Sequence, residues 1–361
     1  MIELVADAGR MRRADFDAIF DVRSPGEFEE DHIPGAENHP ALTNEERARV
    51  GFLYTQSSKF EARKVGAALI ARNVAALLEG RLADLPGGFH VLIYCWRGGQ
   101  RSRSVAHILY EVGWRVGLLE GGYRTYRRAV SERLYTQGPK LRLIVLSGGT
   151  GVGKTEILRR LKARGAQVLD LEAAAGHRGS LFGGLHADQP PQKLFESRLC
   201  AALDEIDPAH TIFVEDEASR IGDCFVPPAI YNALSAAPRI RLSAPADSRA
   251  AYIAQAYAPS HDDRDLLRSA IAALPRHHAA RQKEQWMAHV EAGAYEALAL
   301  ELIQAHYDPA YSRAEASREA PRIEIRLEDL TAQSLEAAAA DILSAASQLR
   351  LTCPSLGRQS D

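Results

Sequence analysis

A cysteine stands between an apolar run and a turn rich in glycine and arginine, in the stretch HVLIYCWRGGQRSRSVAHIL at 90–109. The pattern predicts a strand that ends at Cys95, a short loop, and a helix that starts near Arg101. Backbone N–H groups of the loop, the helix dipole and the guanidinium groups of Arg97 and Arg101 would favour a thiolate at Cys95 and bind the anion that it attacks. We therefore expect Cys95, Arg97 and Arg101 to be catalytic, and Cys95 to hold sulfur or selenium as a persulfide or perselenide.

A second loop has the pattern of a phosphate-binding site. GGTGVGKT at 148–155 fits G-x-x-x-x-G-K-[ST] and lies between the apolar run LRLIVLS and a helical stretch. The glycines Gly148, Gly151 and Gly153 would let backbone N–H groups surround a di- or triphosphate. Lys154 adds positive charge, and Thr155 can help to hold Mg²⁺. The sequence predicts a P-loop but does not decide between a nucleotide and another diphosphate.

Two further segments could support the phosphate site. TIFVED at 211–216 ends in acidic residues, where a P-loop domain places a carboxylate beside the metal, and HRGSLFGG at 177–184 is a glycine-rich loop that could close over phosphate. The alternative for the acidic cluster is a solvated strand end or a set of partners for Arg220. The supporting residues that we assign are His177, Arg178, Ser180, Glu215, Glu217 and Arg220.

Apolar runs that alternate with helical stretches position these loops. Such runs predict parallel strands covered on both faces, and therefore an α/β fold. Residues 41–80 form a mostly helical insertion, and YTQGPK at 135–140 is the best domain boundary. We expect a domain at 1–138 and a phosphate-binding domain with a helical C-terminal region at 139–361. The predicted strands are at 18–23, 90–95, 116–122, 141–147, 167–172, 211–216, 239–243 and 322–327.

Composition indicates a globular protein of ordinary character. The chain has 361 residues, 46% of them hydrophobic and 25% charged, and its four cysteines form no CxxC pair, so neither a disulfide framework nor a zinc site is expected. No segment is apolar enough to enter a membrane, and we expect a cytoplasmic protein. The net charge is -3, yet residues 95–142 hold ten Arg and Lys against three Glu. This basic segment would suit a polyanion.

The first domain resembles the rhodanese family. In that family the loop runs from a catalytic cysteine to an arginine six residues later, as from Cys95 to Arg101, and FDVRSPGEFEEDHIPGA at 20–36 is similar to the N-terminal signature. The resemblance implies that Asp21 and Arg23 hold the loop without reacting. Phosphatases of related fold use a similar loop, so phosphoester hydrolysis is a minor alternative.

A rhodanese domain followed by a P-loop domain resembles the tRNA 2-selenouridine synthase family. The stretches that carry the likeness are NEERARVGFLY, CWRGGQRS, EGGYRTYRR, GGTGVGKTEIL, HRGSLFG, EDEASRIG and HYDPAY. Residues 258–285 match the family only loosely, and the tail beyond 312 has no useful motif. The resemblance implies that selenium from selenophosphate replaces the sulfur of 2-thiouridine at the wobble position of tRNAs for Lys, Glu and Gln. It also implies S-geranylation from geranyl diphosphate, with no covalently bound cofactor.

This resemblance implies a role for the basic segment as well. Wobble bases are unpaired, so an enzyme can splay one out without opening a duplex. The residues expected to contact the anticodon arm are Arg103, Arg124, Arg127 and Arg128, together with Arg97 and Arg101. Two rival functions stay open: a rhodanese-type sulfurtransferase coupled to an ATP-using domain, and a phosphate-sensing protein without catalysis.

Overall fold

The computed structural model describes residues 2–6, 15–177, 189–256, 263–274, 278–316 and 322–349. The chain forms two compact units, the first made of Met1–Gln137 with Pro190–Ala201, the second of Gly138–Gln189 with Ala202–Asp361. Residues 190–201 thus follow the phosphate loop in sequence but belong to the first unit. The two domains expected from the sequence, 1–138 and 139–361, do not account for this return of the chain to the first unit.

The first unit is built on a five-stranded parallel sheet in the order β1-β5-β4-β2-β3. Its strands are β1 (Glu3–Val5), β2 (Ala18–Asp21), β3 (Glu37–Asn38), β4 (His90–Tyr94) and β5 (Arg115–Leu119). Side chains alternate across β4, so Val91 and Ile93 join one apolar cluster while Leu92 and Tyr94 join another. This explains why the strand reads as a continuous apolar run, since both faces of the sheet are covered.

Helices surround this sheet. They are α1 (Pro25–Glu30), α2 (Asn44–Gln56), α3 (Lys59–Glu79), α4 (Gln100–Val112) and α5 (Tyr123–Ser131), which continues into a π-helical turn at Glu132–Gln137. The insertion expected at 41–80 is the pair α2 and α3. Thr43 starts α2 with a capping box, because its hydroxyl accepts from the Glu46 N–H while the Glu46 carboxylate accepts from the Thr43 N–H.

The second unit has its own five-stranded parallel sheet. Its strands are β6 (Leu143–Ser147), β7 (Gln167–Leu169), β8 (Ile212–Glu215), β11 (Arg239–Ser243) and β12 (Arg322–Arg326), in the order β12-β11-β6-β8-β7. A small antiparallel pair, β9 (Arg220–Ile221) and β10 (Cys224–Phe225), lies outside the sheet. The expected α/β architecture with parallel sheets is therefore confirmed.

The helices of the second part of the chain follow the expected helical C-terminal pattern. They are α6 (Lys154–Ala163), α7 (Leu171–Ala175), α8 (Gln192–Asp204), α9 (Pro228–Ala236), α10 (Ala246–Ala256), α11 (Asp263–Ala273), α12 (Ala280–Ala292), α13 (Tyr295–Leu302), α14 (Asp308–Ala316) and α15 (Ala332–Gln348), with a π-helical turn at Ile303–Tyr307. Within the described ranges, no helix is long and apolar enough to cross a membrane.

Candidate functional site

Cys95 directly follows β4, the central strand of the first sheet. The loop then turns through Gly98 and Gly99, and α4 begins at Gln100. The Cys95 side chain is 3% exposed, and its Sγ lies 3.1 Å from the hydroxyl of Ser102 in the first turn of α4. The sulfur is thus held beside a helix N-terminus, where a negative charge is stabilised by the unpaired N–H groups and the helix dipole.

Gly122 lies directly against the cysteine loop. A Cβ atom at this position would approach the Cys95 carbonyl oxygen to 2.2 Å and the Gly98 nitrogen to 2.6 Å, and the backbone φ of 61° is one that favours glycine. The N–H of Tyr123 donates to the Cys95 carbonyl at 2.8 Å, and that of Arg124 donates to the Trp96 carbonyl at 3.2 Å. The start of α5 therefore fixes the backbone of the loop, a role that the sequence analysis did not assign to Gly122.

Asp21 and Arg23 form a buried ion pair, with exposed fractions of 0% and 1%. Arg23 donates to both carboxylate oxygens of Asp21, and its Nη2 also donates to the carbonyl of Asp31 at 2.6 Å. The guanidinium carbon lies 4.0 Å from the ring centroid of Tyr123, the residue that binds the Cys95 carbonyl. This geometry suits the positioning role that was expected for the pair.

Arg101 is anchored to an acid that the sequence analysis overlooked. Its Nη1 donates to Glu27 Oε2 at 2.8 Å, and Arg47 Nε lies 3.0 Å from the same oxygen. Burial alone would raise the pKa of Glu27, but the hydrogen bond and charge of Arg101 lower it below its usual range. Arg97, in contrast, is exposed at the rim of the loop. The catalytic roles of the two arginines stay predictions.

Of the arginines expected to contact tRNA, the four without a catalytic assignment have different surroundings. Arg103, Arg124 and Arg128 are exposed. Arg127 is half-buried and forms an ion pair with Glu196 of α8, and it lies 3.8 Å from Asp31. Because Arg127 is already neutralised within the first unit, Arg124 and Arg128 are better placed to meet an external anion.

In the second unit, the loop 148–153 joins β6 to α6 in the manner expected of a P-loop. Gly148, Gly151 and Gly153 have φ values of 150°, 82° and 82°, which favour glycine. The Lys154 ammonium donates to the Gly148 carbonyl at 3.1 Å. The loop borders a cavity of about 380 Å³ that Gly148, Gly151, Gly153, Lys154 and Thr155 all line. The structure therefore brings together the five residues assigned to phosphate.

Three carboxylates meet at this cavity. One oxygen each from Glu172, Glu215 and Glu217 lie within 4.8 Å of one another. Glu215 hydrogen-bonds with Thr155, and its pKa is raised by burial. Burial and the charges of Glu172 and Glu215 raise the pKa of Glu217 to about 8. Glu172 lies on the short helix α7, and no motif in the sequence marked it.

The donor set fits a divalent cation. Carboxylate and hydroxyl oxygens are ligands that Mg²⁺ prefers, and Glu215 Oε1 is buried with no hydrogen-bond partner among the described residues. Lys154 is the cation that most lowers the pKa of Glu215. Glu172, Glu215, Glu217 and Thr155 could hold the ion, which would neutralise a bound diphosphate.

An ion pair between α10 and Asp308 supports the P-loop. Arg249 of α10 donates to both carboxylate oxygens of Asp308, at 2.9 and 2.6 Å, and its Nη1 donates to the Thr150 carbonyl at 3.2 Å. A Cβ at Gly149 would lie 2.6 Å from that Nη1. Asp308 belongs to the stretch HYDPAY, so this contact gives that stretch a structural role.

Other residues assigned to support lie elsewhere. Arg220 donates to the Gly222 carbonyl and to Asp223, and its guanidinium carbon lies 5.3 Å from the ring centroid of Phe225. Arg220 does not line the cavity, so it is not the partner of Glu215 and Glu217 there. His177 does not line it either, and burial lowers its pKa. Arg178 and Ser180 lie outside the described residues.

The fold and the two loops define a class of protein, in which a rhodanese-like domain with its cysteine loop is joined to a P-loop domain. Family models agree with this division. The model for a rhodanese-like domain matches residues 5–129, and the model for the tRNA 2-selenouridine synthase AAA domain matches residues 141–270.

Curated relatives named tRNA 2-selenouridine synthase give the family. The chain is 36% identical to the one from Aeromonas salmonicida over 71% of this chain and 68% of the relative. The relatives from Shewanella halifaxensis and Shewanella pealeana are each 35% identical, over 66% and 64% of this chain and 65% and 63% of their own lengths. The chain belongs to the tRNA 2-selenouridine synthase family.

Proposed function

We propose that this chain is an enzyme that replaces the sulfur of 2-thiouridine by selenium at the wobble position of tRNAs for Lys, Glu and Gln. Selenophosphate is the selenium donor, and geranyl diphosphate supplies an intermediate alkyl group. The family supports the tRNA substrate and the selenouridine product. The two-step chemistry rests on the two sites described above.

The observation that carries the geranyl step is the lining of the P-loop cavity. Beside the phosphate-binding residues, the cavity is lined by Tyr252, Ile253 and Tyr311. Aromatic and aliphatic groups next to a diphosphate site suit an isoprenoid chain with a charged head. The sulfur of the base would attack the first carbon of that chain, and diphosphate would leave. The backbone N–H groups and Lys154 would stabilise the charge of the leaving group.

The second step belongs to Cys95. Alkylation turns the sulfur into a better leaving group, so the selenium of selenophosphate can attack C2 of the base and geranyl thiol departs. Water then cleaves the Se–P bond, which releases phosphate and leaves 2-selenouridine without a redox step. Cys95 holds or delivers this selenium from its position at the start of α4. The buried pair Asp21 and Arg23, with Gly122, keeps the loop in the conformation that presents the sulfur.

The test uses tRNA that contains 2-thiouridine, with geranyl diphosphate and selenophosphate added separately and together, and mass spectrometry of the nucleosides. We expect Lys154→Ala to lower geranylation about a hundredfold, because it removes a charge that stabilises the leaving diphosphate. Cys95→Ala should spare geranylation and abolish selenium entry. Lys162→Ala, an exposed lysine of the same helix, and Cys224→Ala, a buried cysteine of the second unit, are the matched controls.

Three outcomes would count against the proposal or a part of it. If wild-type protein changes the mass of no nucleoside under any condition, the tRNA-modifying function is wrong. If ATP is required and geranyl diphosphate is inert, the ATP-using sulfurtransferase becomes the better explanation. Survival of selenium entry in Cys95→Ala would contradict the carrier role alone.

A further inference from the structure

A groove of about 600 Å³ in the first unit lies beside the cysteine loop. Trp96, Tyr123, Arg124 and Arg128 are among the residues that line it. Because Trp96 follows Cys95 directly, the two Cα atoms are about 3.8 Å apart across a trans peptide bond. The groove therefore adjoins the backbone of the cysteine loop, while the Cys95 side chain packs with Val91 and Ile93 on one face of the sheet and Trp96 packs against the cluster on the other face.

The charges of the groove are unequally neutralised. Arg127 pairs with Glu196, and Lys193 pairs with Glu30. Arg124 and Arg128 have no ion pair with any carboxylate that the structure describes. They lie four residues apart on α5 and hence on the same side of the helix, separated by roughly 6 Å of helical rise. Two free guanidinium groups at this spacing suit successive phosphates of a nucleic-acid strand.

Trp96 supplies a flat aromatic surface in a fixed position. Its carbonyl accepts from the Arg124 N–H at 3.2 Å, and its ring centroid lies 5.3 Å from that of Tyr123. The side chain is half-buried and lines the groove as well. An aromatic ring beside uncompensated arginines is the combination that binds single-stranded nucleic acid, since bases stack on the ring and phosphates meet the cations.

We propose that this groove binds a single-stranded RNA segment, with one base stacked on Trp96 and its flanking phosphates on Arg124 and Arg128. The inference deepens the proposed function and rests on it for the identity of the RNA, an anticodon loop. It makes Trp96 a binding residue that holds a base of the RNA on the loop that carries Cys95. The volume of the groove is within the usual range for a small-molecule site, so the groove is large enough for a nucleotide.

The first test measures binding of the full-length protein to a short single-stranded RNA that contains 2-thiouridine, by fluorescence anisotropy without geranyl diphosphate or selenophosphate. We expect Trp96→Ala to weaken binding about tenfold, because one stacking contact is lost. Trp96→Phe keeps a ring and should retain most of the affinity. Phe52→Ala removes an aromatic side chain that is 66% exposed on α2 and should leave the affinity unchanged.

The second test uses salt. The slope of log affinity against log salt concentration should become shallower by about 0.7 for each of Arg124→Gln and Arg128→Gln, because each phosphate contact to a single strand releases about that much counterion. Arg72→Gln, an exposed arginine of α3, is the control and should keep the wild-type slope. Both variants change exposed side chains, so this test does not depend on the folding of the Trp96 variants.

Each result decides for or against the groove. Equal effects of Trp96→Ala and Phe52→Ala, or unchanged salt slopes in the arginine variants, would overturn it. Displacement of the RNA by inorganic phosphate with the same potency in wild type and Trp96→Ala would show a free-anion site without stacking, which also overturns it. Since binding is measured without chemistry, a wild-type protein that binds RNA but converts no thiouridine would refute the proposed function and leave the groove standing.

Discussion

Glu217 is a half-buried carboxyl group beside two others, and its pKa therefore lies in an unusual range for a glutamate. Its pKa rises from 4.5 to about 8, first through burial and then through the charges of Glu172 and Glu215. Between these two values the folded protein binds a proton that the unfolded chain has lost. The free energy of unfolding should consequently fall as pH rises from 4.5 to 8 and show no further loss from this group above that range.

Glu217→Gln should remove this part of the pH dependence. Above pH 8 we expect the variant to be more stable than wild type, on the order of 2 kcal/mol, because a neutral amide replaces a half-buried charge that two neighbouring carboxylates repel. Chemical denaturation across the pH range, with EDTA present, measures the effect. Glu205→Gln, an exposed carboxyl of the second unit, is the control. A parallel pH profile for wild type and Glu217→Gln would show that the carboxyl ionises normally in the folded protein.

At the scale of elements, the cysteine loop depends on the start of α5. The contact with Gly122 is backbone against backbone, so no side-chain rotation can relieve it. We expect Gly122→Ala to shift the loop, to cost about 3 kcal/mol of stability through strain and overlap, and to lower selenium entry while geranylation persists. Denaturant titration and nucleoside mass spectrometry measure the two effects.

Gly113 provides the comparison for this variant. It has a φ of 116°, but a Cβ there would meet nothing within 4 Å. Gly113→Ala should therefore show only the cost of the backbone conformation, about 1 kcal/mol, with normal selenium entry. If the two alanine variants transferred selenium equally well, close packing at Gly122 would not matter for the loop.

The elements were predictable where one stretch of sequence determines them. The strands that precede Cys95 and the P-loop are continuous apolar runs, and each is followed by glycines that favour a tight turn. The contacts that complete the sites join distant parts of the chain instead. Arg101 and Glu27 are 74 residues apart, and nothing near either one indicates the other. Glu172 was not predicted as a site residue, because α7 has only five residues and its hydrophobic periodicity is too short to indicate a functional face.

At the scale of the whole molecule, both units use the same arrangement. Cys95 follows the central strand of one parallel sheet, and the P-loop follows the central strand of the other. Loops at the carboxyl ends of parallel strands are common ligand sites, because the following helix presents its N-terminus there. Two such sites in one chain suit two reactions that share a tRNA.

If the two reactions are chemically separate, two defective proteins should complement each other. tRNA geranylated by Cys95→Ala and then purified should be converted to 2-selenouridine by Lys154→Ala with selenophosphate. Unmodified 2-thiouridine tRNA given directly to Lys154→Ala is the control and should not react. Failure of the purified geranylated tRNA to react would mean that Lys154 is also needed for the second step.

The division into two domains was predictable from the glycine and proline near residue 138, but the return of residues 190–201 was not. The sequence of α8 resembles that of any amphipathic helix, so its partners follow only from the tertiary structure. There Glu196 binds Arg127, Tyr135 and Gln192 within the first unit. Removing one partner of such a pair is costly, because the buried Glu196 would be left without its counter-charge.

The path of α8 has a consequence for how such a gene can be recombined. The chain passes between the two units three times, at 137–138, 189–190 and 201–202. A single crossover at codon 138 would join one parent's Arg127 and Asp31 to another parent's Glu196, so these residues must be inherited as a matched set. Chimaeras that take codons 190–201 from the same parent as codons 1–137 keep that set intact.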